Sequence, residues 1–213
     1  MEGKAMKEKK LNVYLTVLIA ASLLMCAYDF FKGYIASYVN TNLPLGASLV
    51  VGTLHILLWA AYALFFVVTV VLLFLKLLRG KAWIILTLAL TAVFLIFVRS
   101  GVYAELYHSA FRAEREAVID SMLSGDVSGY TQTDENEYYT GDIRISNSAE
   151  IDMFEHEGER IFVFDVWRST LARRLLIYVE NGGDLDDGFK YYDHNITDVK
   201  DLGDGWYSCK VER

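Results

Sequence analysis

Proline occurs once in this chain, at Pro44, so no proline-rich linker divides it. Cysteine occurs twice, as Cys26 inside an apolar run and Cys209 near the C-terminus. The two belong to different solvents, which argues against a bond between them. Two are also too few for a disulfide framework or a Cys/His metal spacing. Charge is absent from two long stretches: Ala47 to Leu75 and Ala82 to Val98 contain no Asp, Glu, Lys or Arg. Positive charge is scarce in everything that follows. From Arg99 onward 12 Lys and Arg stand against 24 Asp and Glu, whereas before Arg99 eight stand against three. The acidic excess excludes nucleic acid as a partner, because phosphates demand positive charge.

The charge-free runs set the architecture. A span of the hydrocarbon core takes about 20 mostly apolar residues, and charges near its centre are costly. The two runs flank Lys76-Leu77-Leu78-Arg79-Gly80-Lys81, three positive charges around one glycine, and together predict a transmembrane helical hairpin with a basic turn. Met1 to Lys10 is a polar tail with four lysines, followed by the uncharged run Leu11 to Tyr28 and by Asp29, Phe30, Phe31 and Tyr34. Basic flank, apolar core and aromatic rim describe a further span. A secretory signal peptide begins the same way, but Met25-Cys26-Ala27 does not match a small-x-small cleavage site. The expectation is three spans, residues 11–31, 47–78 and 82–98, with Lys32 to Gly46 as a short connection. Lysines 4, 7, 9 and 10 fall on the same side as the 76–81 turn. By the positive-inside rule the tail, residues 1–10, is then cytoplasmic and the C-terminal half extracytoplasmic. The chain is expected as a multi-pass plasma-membrane protein, with the lipid bilayer its first partner.

After Arg99 the pattern changes. Gly101 to Ser124 is rich in helix formers with apolar residues near helical spacing, and Gly125 supplies a stop, so residues 99–125 are expected as a juxtamembrane helix. Gly125 to Gly141 is polar and acidic and suits a loop. Beyond it, short runs of Val, Ile, Phe, Tyr and Trp alternate with Gly, Asp and Asn turns: Ile143 to Ile145, Ile151 to Phe154, Arg160 to Trp167, Arg174 to Val179, Phe189 to Tyr192, Asp198 to Leu202 and Trp206 to Val211. They predict an antiparallel meander over 126–213, with one face on the 101–124 helix because a small sheet alone has too little core. The fold class is thus α-helical membrane protein plus a small α+β domain.

Few residues suggest chemistry. Asp184, Asp186 and Asp187 cluster in a turn where carboxylates suit a hard cation, but Gly188 stands where an EF-hand needs a third acid or Asn, and Asn195 where it needs Glu. An acidic turn is the simpler account. His55 lies in the second span and Asp29 at the outer end of the first. A polar group in a membrane helix invites a functional hypothesis, here weighed against a hydrogen-bonded packing role. His108, His156 and His194 have no second histidine at helical spacing and are expected as surface turn residues. Arg173-Arg174 is too short for a lipid-binding patch. Asn195-Ile196-Thr197 fits the glycosylation acceptor pattern. Phe162, Phe164, Trp167, Tyr178, Phe189 and Trp206 are expected in the core. No catalytic set, cofactor or metal site is apparent.

Arg160-Ile-Phe-Val-Phe-Asp-Val-Trp-Arg168, then Leu176-Ile-Tyr178, then Gly205-Trp-Tyr207 resembles the C-terminal region of uncharacterised bacterial membrane-associated proteins. In those, an aromatic strand, an "IY" strand and a "WY" strand recur in that order. The resemblance implies a bacterial plasma membrane and carries no activity and no catalytic residues. The expectation is a non-enzymatic, membrane-anchored accessory protein that contacts a protein partner in the membrane or envelope. The alternative is a sensor whose outer domain binds a ligand and moves the third span. A transporter fits least, because the spans hold almost no ionisable residues.

Overall fold

The computed structural model describes residues 2–43, 47–74, 82–168, 172–185 and 189–212. The expected basic turn at 76–81, and Asp186 and Asp187 of the acidic turn, lie outside the described residues. The chain divides into two compact units, Met1–Phe30 with Ser48–Ile96, and Phe31–Ala47 with Phe97–Arg213.

The first unit contains α2 (Ala47–Phe74), α3 (Ala82–Phe97) and most of α1 (Glu2–Asn42). Leu18 and Ile84 are fully buried, with Tyr14, Leu15, Phe65, Leu72 and Leu88 packed against them. Two pairs of polar groups meet between helices, the Tyr14 hydroxyl with Thr69 Oγ1 and Ser22 with the Tyr62 hydroxyl at 3.3 Å, while Thr91 donates to the Thr87 carbonyl of its own helix at 2.8 Å. Such pairing is what an apolar medium demands. Elsewhere Leu24, Val50, Ile56, Leu57 and Leu64 point outward. Asn12–Asn42 of α1 and Gly52–Leu72 of α2 are each long and apolar enough to cross a membrane. The 16 residues of α3 fall short of the roughly 20 a span takes. A third span is reached only if α3 and the following helix count as one broken span.

Two expectations change here. Residues 2–10 begin α1 instead of forming a separate polar tail, and the expected connection 32–46 is helical as far as Asn42. Nothing between Lys32 and Asn42 breaks a helix: proline is absent and Gly33 is the single glycine. Gly33 is also buried, with the Asn147 carbonyl 3.4 Å from where its Cβ would stand.

The second unit is an α+β fold. Two short helices, α4 (Gly101–Ala110) and α5 (Arg112–Leu123), replace the single expected helix, because Phe111 leaves the helical conformation between them. Ser100 caps α4, its Oγ accepting from the Tyr103 amide at 3.2 Å. Eight strands follow: β1 (Thr131–Asp134), β2 (Glu137–Tyr139), β3 (Glu150–His156), β4 (Glu159–Arg168), β5 (Ala172–Val179), β6 (Lys190–Tyr191), β7 (His194–Gly203) and β8 (Trp206–Glu212). All pairs are antiparallel and the sheet curls, with the order β1-β2-β3-β4-β5-β8-β7-β6.

This is not a simple meander. After β5 the chain crosses to the far edge, and β7 and β8 then fold back inward. Cross-strand register places Tyr178 opposite Trp206 and Leu175 opposite Cys209. The β1–β2 hairpin lies in the stretch expected as a loop, while Ile143 to Ile145, expected as a strand, forms a turn. Thr131-Gln132-Thr133 carries no alternating apolar signal, because β1 is exposed throughout. At the β7–β8 turn Gly205 has φ of 77°, and a Cβ there would stand 2.7 Å from the Val179 carbonyl, so only glycine fits.

The central strands β4, β5 and β8 are buried on both faces, which is why β4 reads as a nearly continuous apolar run. On one face Ile151, Phe162, Phe164, Val166, Leu176 and Trp206 meet Ala104, Tyr107, Val118, Ile119 and Met122 of the helices. On the other, Ile161, Val163, Leu175, Ile177 and Cys209 meet Phe189 and Tyr191. All six aromatics expected in the core are buried or half-buried.

Candidate functional site

The second face carries a buried set of charges at one end. Glu150 and Asp152 come from β3, Asp165 and Arg168 from β4, Arg173 from β5 and Tyr191 from β6. Alternation along the strands brings them to one side, and a bulge between Asp165 and Trp167 re-aims the end of β4. Arg168 bridges Glu150 at 3.1 Å and Asp165 at 2.7 Å. Arg173 lies 4.0 Å from Asp165 and donates to the Tyr191 hydroxyl at 2.6 Å. Tyr191 in turn donates to Asp152 Oδ2, and Tyr192 donates to Oδ1 at 3.1 Å. Polar contacts therefore run from Glu150 to the half-exposed Tyr192. Ser37 of α1 stands beside Glu150 and favours its charged form, although its hydroxyl forms no well-aligned hydrogen bond.

Burial dominates the electrostatics. It pushes the Asp152 carboxyl up to about 7; the Tyr191 hydroxyl pulls it back, while the Asp165 and Glu137 carboxylates push it further up. Burial likewise raises Glu150, against the pull of Arg168. The next residue along β4 beyond the bulge, Trp167, takes two cations over its ring, Lys32 Nζ at 4.6 Å and the Arg99 guanidinium at 4.7 Å. Lys32 belongs to the end of α1 and Arg99 to the link before α4.

A second buried cation stands on the helix side of the sheet. Arg115 of α5 is fully buried and donates to four carbonyls: Tyr107 at 2.7 Å, His108 at 2.9 Å, and Arg144 and Ile145 at 3.1 Å each. Two of these are carbonyls of the last turn of α4 that otherwise share only the Phe111 amide, at 3.3 Å each, so the guanidinium reinforces its C-terminal cap. Burial pushes Arg115 down to about 10, which leaves it charged at neutral pH.

No family model, no curated protein and no solved structure matches this chain. The site therefore rests on its own geometry.

Asp29 is fully buried in α1, and the neighbouring Tyr28 ring lies 5.6 Å from that of His55, which also meets Trp59 at 6.4 Å. Asp184 is exposed and accepts a long contact from the Tyr207 hydroxyl at 3.4 Å. It lines a pocket of about 290 Å³ together with His156, Glu157, Glu159 and Gly183. Among the described residues no three His, Cys, Asp or Glu side chains are grouped to hold a metal ion.

His108 is not a surface turn residue. It lies buried in α4 with its ring 4.7 Å from Trp206, and neither ring nitrogen has a hydrogen-bond partner. Burial, with Arg115 and Arg112 nearby, holds it down at about 4. An unfolded chain binds a proton at this histidine near pH 6.5. Its stabilising contribution is thus complete above that pH and is lost as pH falls toward 4. A His108→Phe variant is expected to gain melting temperature relative to the parent between pH 6.5 and 4.5; a constant difference across that window rules the effect out.

The sequence did not single out the charge network. Two clues were available: Asp165 interrupts the apolar run Ile161 to Trp167, and Asp152 sits between Ile151 and Met153. A charge within an apolar strand must find a partner. Which partner depends on strand order, because Arg173 and Tyr191 arrive from distant points in the chain.

Proposed function

We propose that the chain is a multi-pass membrane protein whose C-terminal α+β domain acts as a regulatory sensor on the extracytoplasmic side. The observation that supports it is the Trp167 ring beneath both Lys32 and Arg99. The two segments through which the chain enters the domain converge on one side chain of β4, so a shift of that strand is felt by α1 and by the link from α3. This reading takes α3 and α4 as the broken third span, and the positive-inside distribution of lysines and arginines supports a cytoplasmic N-terminus. In this reading a membrane or envelope protein partner carries the output. The accessory-protein reading shares that partner and differs in needing no input.

Orientation is tested with an Asn195→Cys variant, since Asn195 is exposed. Cys209 cannot serve, because it is fully buried. Labelling of intact cells by an impermeant thiol reagent is expected; labelling only after the membrane is opened overturns the topology. Sensing is tested by Trp167→Leu. It should uncouple reporter signals on α1 from those on the sheet, and unchanged coupling would leave the accessory reading in place.

A further inference from the structure

We propose that residues 189–193 form a proton-controlled strap over Asp152, closed while that carboxyl carries a proton and released when it is lost. This deepens the sensor reading by making the proton its input, and rests on it for the output.

Charge counting leads there. The network holds three buried carboxyl groups, Glu150, Asp152 and Asp165, and two guanidinium groups, the buried Arg173 and the half-buried Arg168. With every group ionised it carries one net negative charge away from water, so a single resident proton makes it neutral. Glu150 and Asp165 share Arg168, and Asp165 also faces Arg173. Asp152 is met by two tyrosine hydroxyls and by neither guanidinium, which makes it the carboxyl on which the proton resides. The titratable and charged groups around it are Glu150 on its own strand, Glu137 opposite it on β2, Asp165 and Arg168 on β4, Arg173 on β5, and Tyr191 and Tyr192. The hydroxyl donors favour the charged form, while burial, Asp165 and Glu137 oppose it and prevail.

The strap is weakly built. Strand β6 has two residues, paired as Lys190 with Asn195 and Tyr191 with His194. The turn that follows holds Tyr192 and Asp193 at φ of 47° and 65°, a left-handed conformation that a bulky residue adopts only under constraint. What holds it is Tyr191 and Tyr192 on Asp152 and the edge-on contacts of Phe154 with Phe189, Tyr191 and Tyr192. Lifting it brings water to Asp152 and restores an ordinary carboxyl near 4. Linkage then gives the sign: closure is complete below about pH 4, weakens as pH rises, and the balance levels once the closed-state group has also ionised, near 7.

The test is amide hydrogen exchange over residues 189–195 of the full chain in lipid nanodiscs, corrected for the intrinsic pH dependence. Protection is expected to fall as pH rises from 4.5, by up to about tenfold per unit, and to level above 7. Asp152→Asn should abolish the trend. Tyr192→Phe, which removes a donor to the charged form, should move the levelling point to higher pH. Protection that is independent of pH, or a trend that survives in Asp152→Asn, overturns the strap. If that variant does not fold, an unshifted levelling point in Tyr192→Phe does the same. A reporter attached at the exposed Asn40 separates the two proposals: a strap that responds while α1 stays silent keeps the device and removes the sensor.

Discussion

Replacing Arg115 with methionine is expected to lower the unfolding free energy of the C-terminal unit by about 3–5 kcal/mol. Methionine fills much of the space but leaves the buried carbonyls of Arg144 and Ile145 without their donor, and those of Tyr107 and His108 with only the shared Phe111 amide at 3.3 Å. Each unpaired carbonyl costs roughly 1–3 kcal/mol, and two of the four are left so. The guanidinium also ties together three pieces of chain: the end of α4, the body of α5 and the 142–145 turn. It stacks over the Tyr107 ring as well, at 4.9 Å, and methionine supplies neither the tie nor the charge. Lysine should recover less than half the loss, since one ammonium cannot reach four acceptors spread around a planar fork. Denaturant unfolding of the full chain in detergent, followed by near-ultraviolet circular dichroism, measures the change. A loss below about 1 kcal/mol would show that water replaces the guanidinium and that Arg115 is no clamp.

The second large effect is expected at Asp165. Asp165→Asn removes the carboxylate shared by Arg168 and Arg173, leaving Arg168 with Glu150 alone. Breaking a buried ion pair from one side costs about 3–5 kcal/mol, because the remaining charge stays desolvated. Asp152→Asn makes the informative contrast. At pH 5 Asp152 is already protonated, given its level of about 7, and an amide resembles a neutral carboxyl in shape and hydrogen bonding. Its cost there should stay below about 1 kcal/mol. Two neighbouring aspartates, equally buried, would then differ several-fold in the effect of the same substitution. Equal losses at pH 5 would mean that the resident proton is not on Asp152, and the strap would lose its switch.

The apolar runs and the strands of the C-terminal half were legible because each answers to a local rule. A helix that crosses a membrane needs a long stretch nearly free of charge, and a half-buried strand shows alternation. The hairpin of Ile151 to Phe154 with Arg160 to Trp167 could be placed for that reason, and it forms as β3 and β4. Where local rules are silent the expectations missed. Residues 32–42 hold polar and aromatic side chains that suit a loop or a helix equally, and packing of Gly33 and Ser37 on the domain selects the helix. The break at Phe111 is marked by neither glycine nor proline; Arg115 supplies the capping donor from the next helix.

By itself the sequence determined that helices long and apolar enough to cross a membrane precede an acidic α+β domain, since hydrophobic length and charge balance are sums over neighbouring residues. Only the tertiary structure decided that β8 lies between β5 and β7, that the central strands are buried on both faces, and that Asp152, Asp165, Arg168, Arg173 and Tyr191 share one network. Those features depend on which strands pair, and pairing is fixed by the total burial and hydrogen bonding of segments far apart in the chain.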